Sequence, residues 1–167
     1  MKFYLTLLLI CATTWLQAQP DSVGFSVYGD FNGDGIKEYA FSVQTQAGIG
    51  TPDLYAIYFS DGQIPEIEVG CCEVVLVNEG DLNGDGADDI SLFQAPMNGN
   101  TYSMTTVSLT DTTWETIVPS FFIPTAGYPL SVTDLQNRVY VKQGVMYYLV
   151  TDVNDEEMNQ IEREVRL

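Results

Sequence analysis

The chain contains no histidine, and only six of its 167 residues are lysine or arginine, against 23 aspartates and glutamates. Without histidine there is no Ser-His-Asp or Cys-His nucleophile system and no usual zinc hydrolase site, and the commonest general base is missing. With so few cations, phosphate binding through clustered Lys and Arg is not available, so nucleic acid is not an expected partner. Anionic membrane surfaces are disfavoured for the same reason. Long apolar runs are also missing. The longest is the leading stretch 3–12, about ten residues, whereas a membrane-spanning helix needs about twenty.

That leading stretch has its own reading. Lys2 supplies a minimal positive start, an apolar core follows, and Leu16-Gln17-Ala18 places a small residue before a cut. This is the pattern of a signal peptide, residues 1–19, with cleavage expected after Ala18 or Gln19. Cys11 as a lipid-attachment site is disfavoured, because bulky Ile10 precedes it. The chain is therefore expected to be exported, to the periplasm, the cell surface or the medium, with no membrane span. Removing Lys2 leaves five basic residues against 23 acidic ones. With 12% aromatic residues and only 17% charged ones, the remainder has apolar surface to bury and is not a disordered acidic tail. Its length, 20–167, suits one domain.

The apolar pattern has the period of strands almost throughout. Val23, Phe25 and Val27 alternate with small or polar residues, as do Tyr39, Phe41 and Val43. The run 54–59 ends at Ser60-Asp61-Gly62, a hairpin-type turn, and Ile64, Ile67 and Val69 follow. Later, 102–109 pairs with 114–118 across Thr110-Asp111-Thr112. The segment 120–130, with its prolines and Gly127, reads as a connection. A third hairpin is expected over 138–142 and 145–151, and a final strand over 161–167 in preference to a short charged helix.

Two acidic loops stand out of this pattern. Gly29-Asp30-Phe31-Asn32-Gly33-Asp34-Gly35 matches Gly80-Asp81-Leu82-Asn83-Gly84-Asp85-Gly86 at every position but the apolar one, at an offset of 51. Each loop has a strand on either side, which marks a repeat of about four strands, the content of one propeller blade. Two repeats are read, over 23–69 and 74–118, with a C-terminal hairpin region over 130–167. Oxygen-bearing side chains fall at positions one, three, five and nine: Asp30, Asn32, Asp34 and Glu38, then Asp81, Asn83, Asp85 and Asp89. Glycine occupies position six, and Ile36 and Ala87 at position seven offer backbone carbonyls. An all-oxygen set of this kind suits calcium, which takes six to eight oxygens, and not zinc or copper. Acidic glycine-rich turns also arise for backbone reasons alone. Two copies with one order of ligands argue against that plainer account, as do three carboxylates that would repel one another without a cation.

Position twelve separates the calcium folds. An EF-hand needs a bidentate Glu there and flanking helices, but this chain has Phe41 and Leu92 in strand-like alternation. A dockerin-type module fails on the same grounds. The stretches 30–41 and 81–92 instead resemble the FG-GAP or VCBS type of repeat, also found in integrin α-chain propellers. That resemblance implies β-propeller blades in which an ion stiffens a hairpin loop, with the eight side chains above as ligands. Closed propellers have four to eight blades, whereas this chain has material for two units and one degenerate one. The expected fold is thus all-β, with two to three blade-like antiparallel sheets and no complete single-chain propeller. An open stack, a sandwich or a ring completed by other copies all remain available. Asp152, Asn154 and Glu156 have the look of a decayed third loop without its glycine.

The adjacent Cys71 and Cys72 are read as reduced strand residues on opposite faces, with a vicinal disulfide as the alternative. Most tyrosines are assigned to the core, and the Asn- and Gly-rich loop 95–102 is the candidate for ligand contact. The chain is therefore expected to be a non-enzymatic binding or scaffolding module with two calcium sites and a protein or glycan ligand. A calcium-dependent glycan hydrolase or a carbohydrate-binding module is the alternative, since carboxylate-pair chemistry needs only Asp and Glu.

Overall fold

A computed structural model describes residues 22–125, 127–128 and 130–166. The signal-peptide reading, with Cys11, lies outside the described residues. Among the described residues, twelve strands form three antiparallel sheets, none closed into a barrel, and one short helix accompanies them. The first sheet has β2 (Ser26–Gly29), β3 (Glu38–Gln46), β4 (Leu54–Phe59) and β5 (Ile67–Cys71) side by side in chain order. The middle sheet runs β1 (Val23–Gly24), β6 (Val74–Gly80), β7 (Asp89–Gln94), β8 (Thr101–Thr110) and β9 (Thr113–Pro124). The third holds β10 (Val139–Lys142), β11 (Val145–Thr151) and β12 (Gln160–Glu164). Among the described residues, no helix is long and apolar enough to cross a membrane.

The sheets are stacked, and the two gaps between them are the two cores. Val27, Phe31, Ala40, Ile57 and Phe59 of the first sheet and its loop meet Leu76, Ile90, Leu92 and Val107 of the middle one. On the other side, Val77, Phe93, Met104, Val118, Phe121 and Ile123 meet Val139, Tyr148 and Leu135. The middle sheet is thus covered on both faces, which is why β7 is buried from Asp89 to Phe93 while outer strands alternate. Val23 belongs to the second core although β2 belongs to the first sheet, so the chain enters on the middle sheet and crosses to the first.

Three sequence expectations change. The segment 120–130 is not all connection: β9 runs on to Pro124, and Tyr102 pairs with Ile123 and Met104 with Phe121. Its side chains Phe121 and Ile123 are buried, so apolar burial outweighs the breaking effect of the prolines at its ends. A helix, α1 (Val132–Gln136), follows where none was expected; Ser131 caps it and exchanges hydrogen bonds with Asp134, and Leu135 is its one buried side chain. Cys71 and Cys72 are joined in a disulfide, not held apart on opposite faces. Strand β5 ends at Cys71, so the alternation that would separate the two no longer operates at Cys72. Gln94 ties this corner to the middle sheet by donating to the carbonyls of Val69 and Cys71.

Candidate metal centres

Each acidic loop closes one hairpin in the same register. Gly29 pairs with Glu38 around the first loop and Gly80 with Asp89 around the second. Inside each, short hydrogen bonds fold the chain onto its own aspartates. Asp30 accepts from the N–H groups of Asp34 and Gly35 at 3.1 and 2.8 Å, and Asp34 from Ile36 at 2.7 Å. The second loop repeats these contacts: Asp81 accepts from Asp85 and Gly86 at 3.1 and 3.0 Å, and Asp85 from Ala87 at 2.9 Å. Asn32 and Asn83 each accept from the residue two further on, at 3.0 and 2.9 Å. The coil needs left-handed backbone at positions four and six, where Gly33 and Gly35 have φ of 72° and 85° and Gly84 and Gly86 have 82° and 96°. Glycine is thus required at position four as well as at position six.

Position nine links the loop to the interior. Glu38 and Asp89 are buried, and each accepts the N–H of position two, from Phe31 at 3.1 Å and from Leu82 at 2.8 Å. Position two in turn drops into a core: Phe31 is fully enclosed between the first and middle sheets, and Leu82 packs half-buried on the second core. One peptide therefore connects apolar packing to the presentation of a carboxylate.

The two loops differ in how their acids converge. Asp30, Asp34 and Glu38 offer oxygens within 4.8 Å of one another, and this is the one such carboxylate trio among the described residues. Calcium–oxygen bonds run about 2.3 to 2.6 Å, so oxygens on one ion lie no further apart than about 5 Å, and the first loop already meets that limit. Asn32 and the carbonyl of Ile36 are placed on the same turn, and Ile36 itself is exposed. In the second loop Asp81, Asn83, Asp85 and Asp89 are engaged in hydrogen bonds, with Asn83 spanning Asp85 and the Ser108 hydroxyl, both at 2.9 Å. Burial raises the Glu38 pKa, the Phe31 N–H opposes this, and Asp30, Asp34 and Asp61 raise it further. Asp89 is pushed up to about 6, first by burial, with Ser108 and the Leu82 N–H pulling down and Asp85 pushing up. For Asp85 burial also acts upward, but the Ala87 N–H, the Asn83 amide and the Ser108 hydroxyl outweigh it and hold it low. Both loops thus carry charge that an added cation would relieve.

Two acids that matter here were not singled out by spacing. Asp61, in the turn after β4, accepts from the Asn32 amide at 3.4 Å and adds a fourth carboxylate beside the first loop. Asp88 joins the two loops: Asp30 N–H donates to its carboxylate at 3.0 Å, its own N–H donates to the Asp30 carbonyl at 2.6 Å, and Asn78 donates to it at 3.1 Å. The first repeat has Lys37 at that place, so the only signal was a mismatch between the repeats. Gly29 is buried under this clamp. A Cβ there would stand 2.7 Å from the Asp88 carboxylate and collide with the Asn78 amide as well. Gly29→Ala is accordingly expected to cost about 1 to 3 kcal/mol in urea unfolding and to loosen both loops together; a change below about 0.5 kcal/mol would show that the clamp yields freely.

The other marked residues fall outside this centre. Asp152, Asn154 and Glu156 sit in the turn after β11, where Asp152 accepts from the Asn154 N–H at 2.9 Å. Of the loop 95–102, residues 97–100 are exposed and 101–102 already belong to β8, and the Asn100 carbonyl accepts from the N–H and hydroxyl of Thr125 at 2.8 and 3.0 Å. Compared with known protein families, with curated proteins and with solved structures, the chain finds no match.

Proposed function

We propose that this chain is an exported calcium-binding β-repeat protein of the FG-GAP or VCBS type, in which two ions stiffen hairpin loops and the stacked sheets serve as a binding or scaffolding module. The observation that carries this reading is the convergence of Asp30, Asp34 and Glu38 within 4.8 Å. The second loop, with the same register and internal bonds, takes the second ion through Asp81, Asn83, Asp85, the Ala87 carbonyl and Asp89. Calcium is structural on this account, since binding to the folded state alone stabilises by about 2.7 kcal/mol per site at a hundredfold excess over Kd. Thermal melting of chelated protein with added calcium tests it. Melting should rise by several degrees, less in Asp34→Ala or Asp85→Ala, and not at all when both are changed. No shift at millimolar calcium would reject the proposal.

For the ligand, an observation on the first sheet favours a glycan. Its outer face carries the cross-strand ring pairs Tyr28–Tyr39 and Phe41–Tyr58, at 4.8 and 6.4 Å, with Tyr39 half exposed. Beside them lies a trough of about 330 Å³ lined by Thr45, Tyr55, Tyr58, Glu66 and Glu68. Rings for stacking and carboxylates as acceptors suit sugar hydroxyls. Retention on neutral polysaccharide gels, lost in Tyr39→Ala and Tyr58→Ala, is the matching test, and release of sugars during it would favour a hydrolase.

A further inference from the structure

Glu79 is the extra residue of a bulge in β6: Asn78 pairs with Ile90 and Gly80 with Asp89, and nothing pairs with Glu79 between them. The residue 51 positions earlier is Tyr28, so the first repeat has no counterpart to this acid. Its side chain turns inward, toward Ser91 and within Coulombic reach of Asp89. The Glu79 Oε1 atom is shut off from solvent and makes no hydrogen bond, and the same holds for Oδ1 of Asp89, a residue that is 0% exposed. Around them stand the buried hydroxyls of Ser91 and Thr106, 2.7 Å apart. The one ion pair among the described residues, Lys142 with Glu162, is on the third sheet, so no basic side chain serves this pair. Two neighbouring carboxylates, Asp89 buried and Glu79 half-buried against Ser91, each with one idle oxygen and no cation beside them, are costly, and such groups are ordinarily paired or bound to metal.

The second loop lacks what this pair would supply. Its position nine is an aspartate, one methylene shorter than Glu38, and its three acids do not draw together as Asp30, Asp34 and Glu38 do. We propose that Glu79 is a ligand of the cation held by the second loop, joining Asp89 on the inner side of the site with the Ser91 and Thr106 hydroxyls behind it. This rests on the calcium reading of the loop and adds a residue that the loop motif does not contain. The first loop draws its extra negative charge from Asp61 outside the sheet, and the second draws it from the sheet's own bulge.

Calorimetric titration with calcium separates the possibilities. In the Asp34→Ala background, which silences the first loop, adding Glu79→Gln should weaken the remaining site by about tenfold or more. In the Asp85→Ala background the same change should leave the first site within twofold, which also shows that the variant folds. Chelated Glu79→Gln should melt no lower than its parent, because an unpaired buried carboxylate has been removed, while its gain on adding calcium shrinks. Unchanged affinity at the second site would overturn the assignment. So would equal weakening of both sites or a lower melting point without calcium, either of which marks general damage. If the parent protein takes up no calcium at all, the calcium reading itself fails and this inference falls with it.

Discussion

Phe31→Ala should remove about 3 to 5 kcal/mol of stability, the range for emptying a buried aromatic site. That is a large fraction of the roughly 5 to 15 kcal/mol by which domains of this size are held. Phe31 is 0% exposed and stands edge-on to Phe59 at 5.6 Å, and Phe59 stacks on Trp114 at 5.2 Å. The indole N–H of Trp114 then donates to the Pro65 carbonyl at 2.8 Å, so the row of rings crosses from the first loop to the middle sheet and back. Losing the first ring leaves a cavity at the point where loop, first sheet and middle sheet meet. It also frees the peptide whose N–H holds Glu38, so calcium affinity at the first loop should fall in the same variant. Leu82→Ala, at a position only half-buried, should cost less. Urea unfolding of both variants checks the order; a Phe31→Ala cost under 1 kcal/mol would mean the loop is not anchored through this ring.

The second large effect is an inverted pH dependence of the calcium-free protein. Burial above all, opposed by Ser91 and reinforced by Asp89, pushes Glu79 up from its ordinary 4.5 to about 8, and burial pushes Asp89 from 3.8 to about 6. A folded-state pKa above the unfolded one means that the folded chain holds protons the unfolded chain has released. Between the two values, stability therefore falls as pH rises. Below about pH 3 both states are protonated and these groups cost nothing; from about pH 4 to 8 the penalty accumulates, and well above 8 it is complete. At about 1.4 kcal/mol per unit, the loss across that window is several kcal/mol. Net charge of -17 works in the same direction. Urea midpoints in chelator at pH 4.5, 6, 7 and 8 should decline in that order, and saturating calcium should flatten the series by compensating the ionised carboxylates. A midpoint that rises toward pH 8 without calcium would contradict this account of the buried acids.

Much of the fold was legible because strands with one wet face write their period into the chain. Tyr39, Phe41 and Val43 announced β3, and the third hairpin expected over 138–142 and 145–151 is β10 paired with β11. The final strand, β12, was likewise favoured over a helix. The stretch 120–124 misled because its neighbouring prolines were read as breakers, although Pro124 only ends β9 and the residues before it are held by pairing with β8. The disulfide between Cys71 and Cys72 was weighed and set aside, since alternation cannot say where a strand stops. In the loops, the repeat exposed every side chain whose type recurs at the offset. It could not expose Asp88 or Asp61, because each acts in one repeat only and through contacts between residues far apart in sequence. Asp88 reaches Asp30 across 58 residues, and only the packing of the first sheet on the middle one brings them together.

The paired loops are proposed to hold calcium. Equilibrium dialysis of chelated protein against calcium at pH 7.5, with bound ion counted per chain, tests it most directly. Two ions per chain are expected for the parent, one for Asp34→Ala and one for Asp85→Ala, and none for the double variant. A parent protein that binds no calcium, or that binds two ions undiminished by these changes, would contradict it.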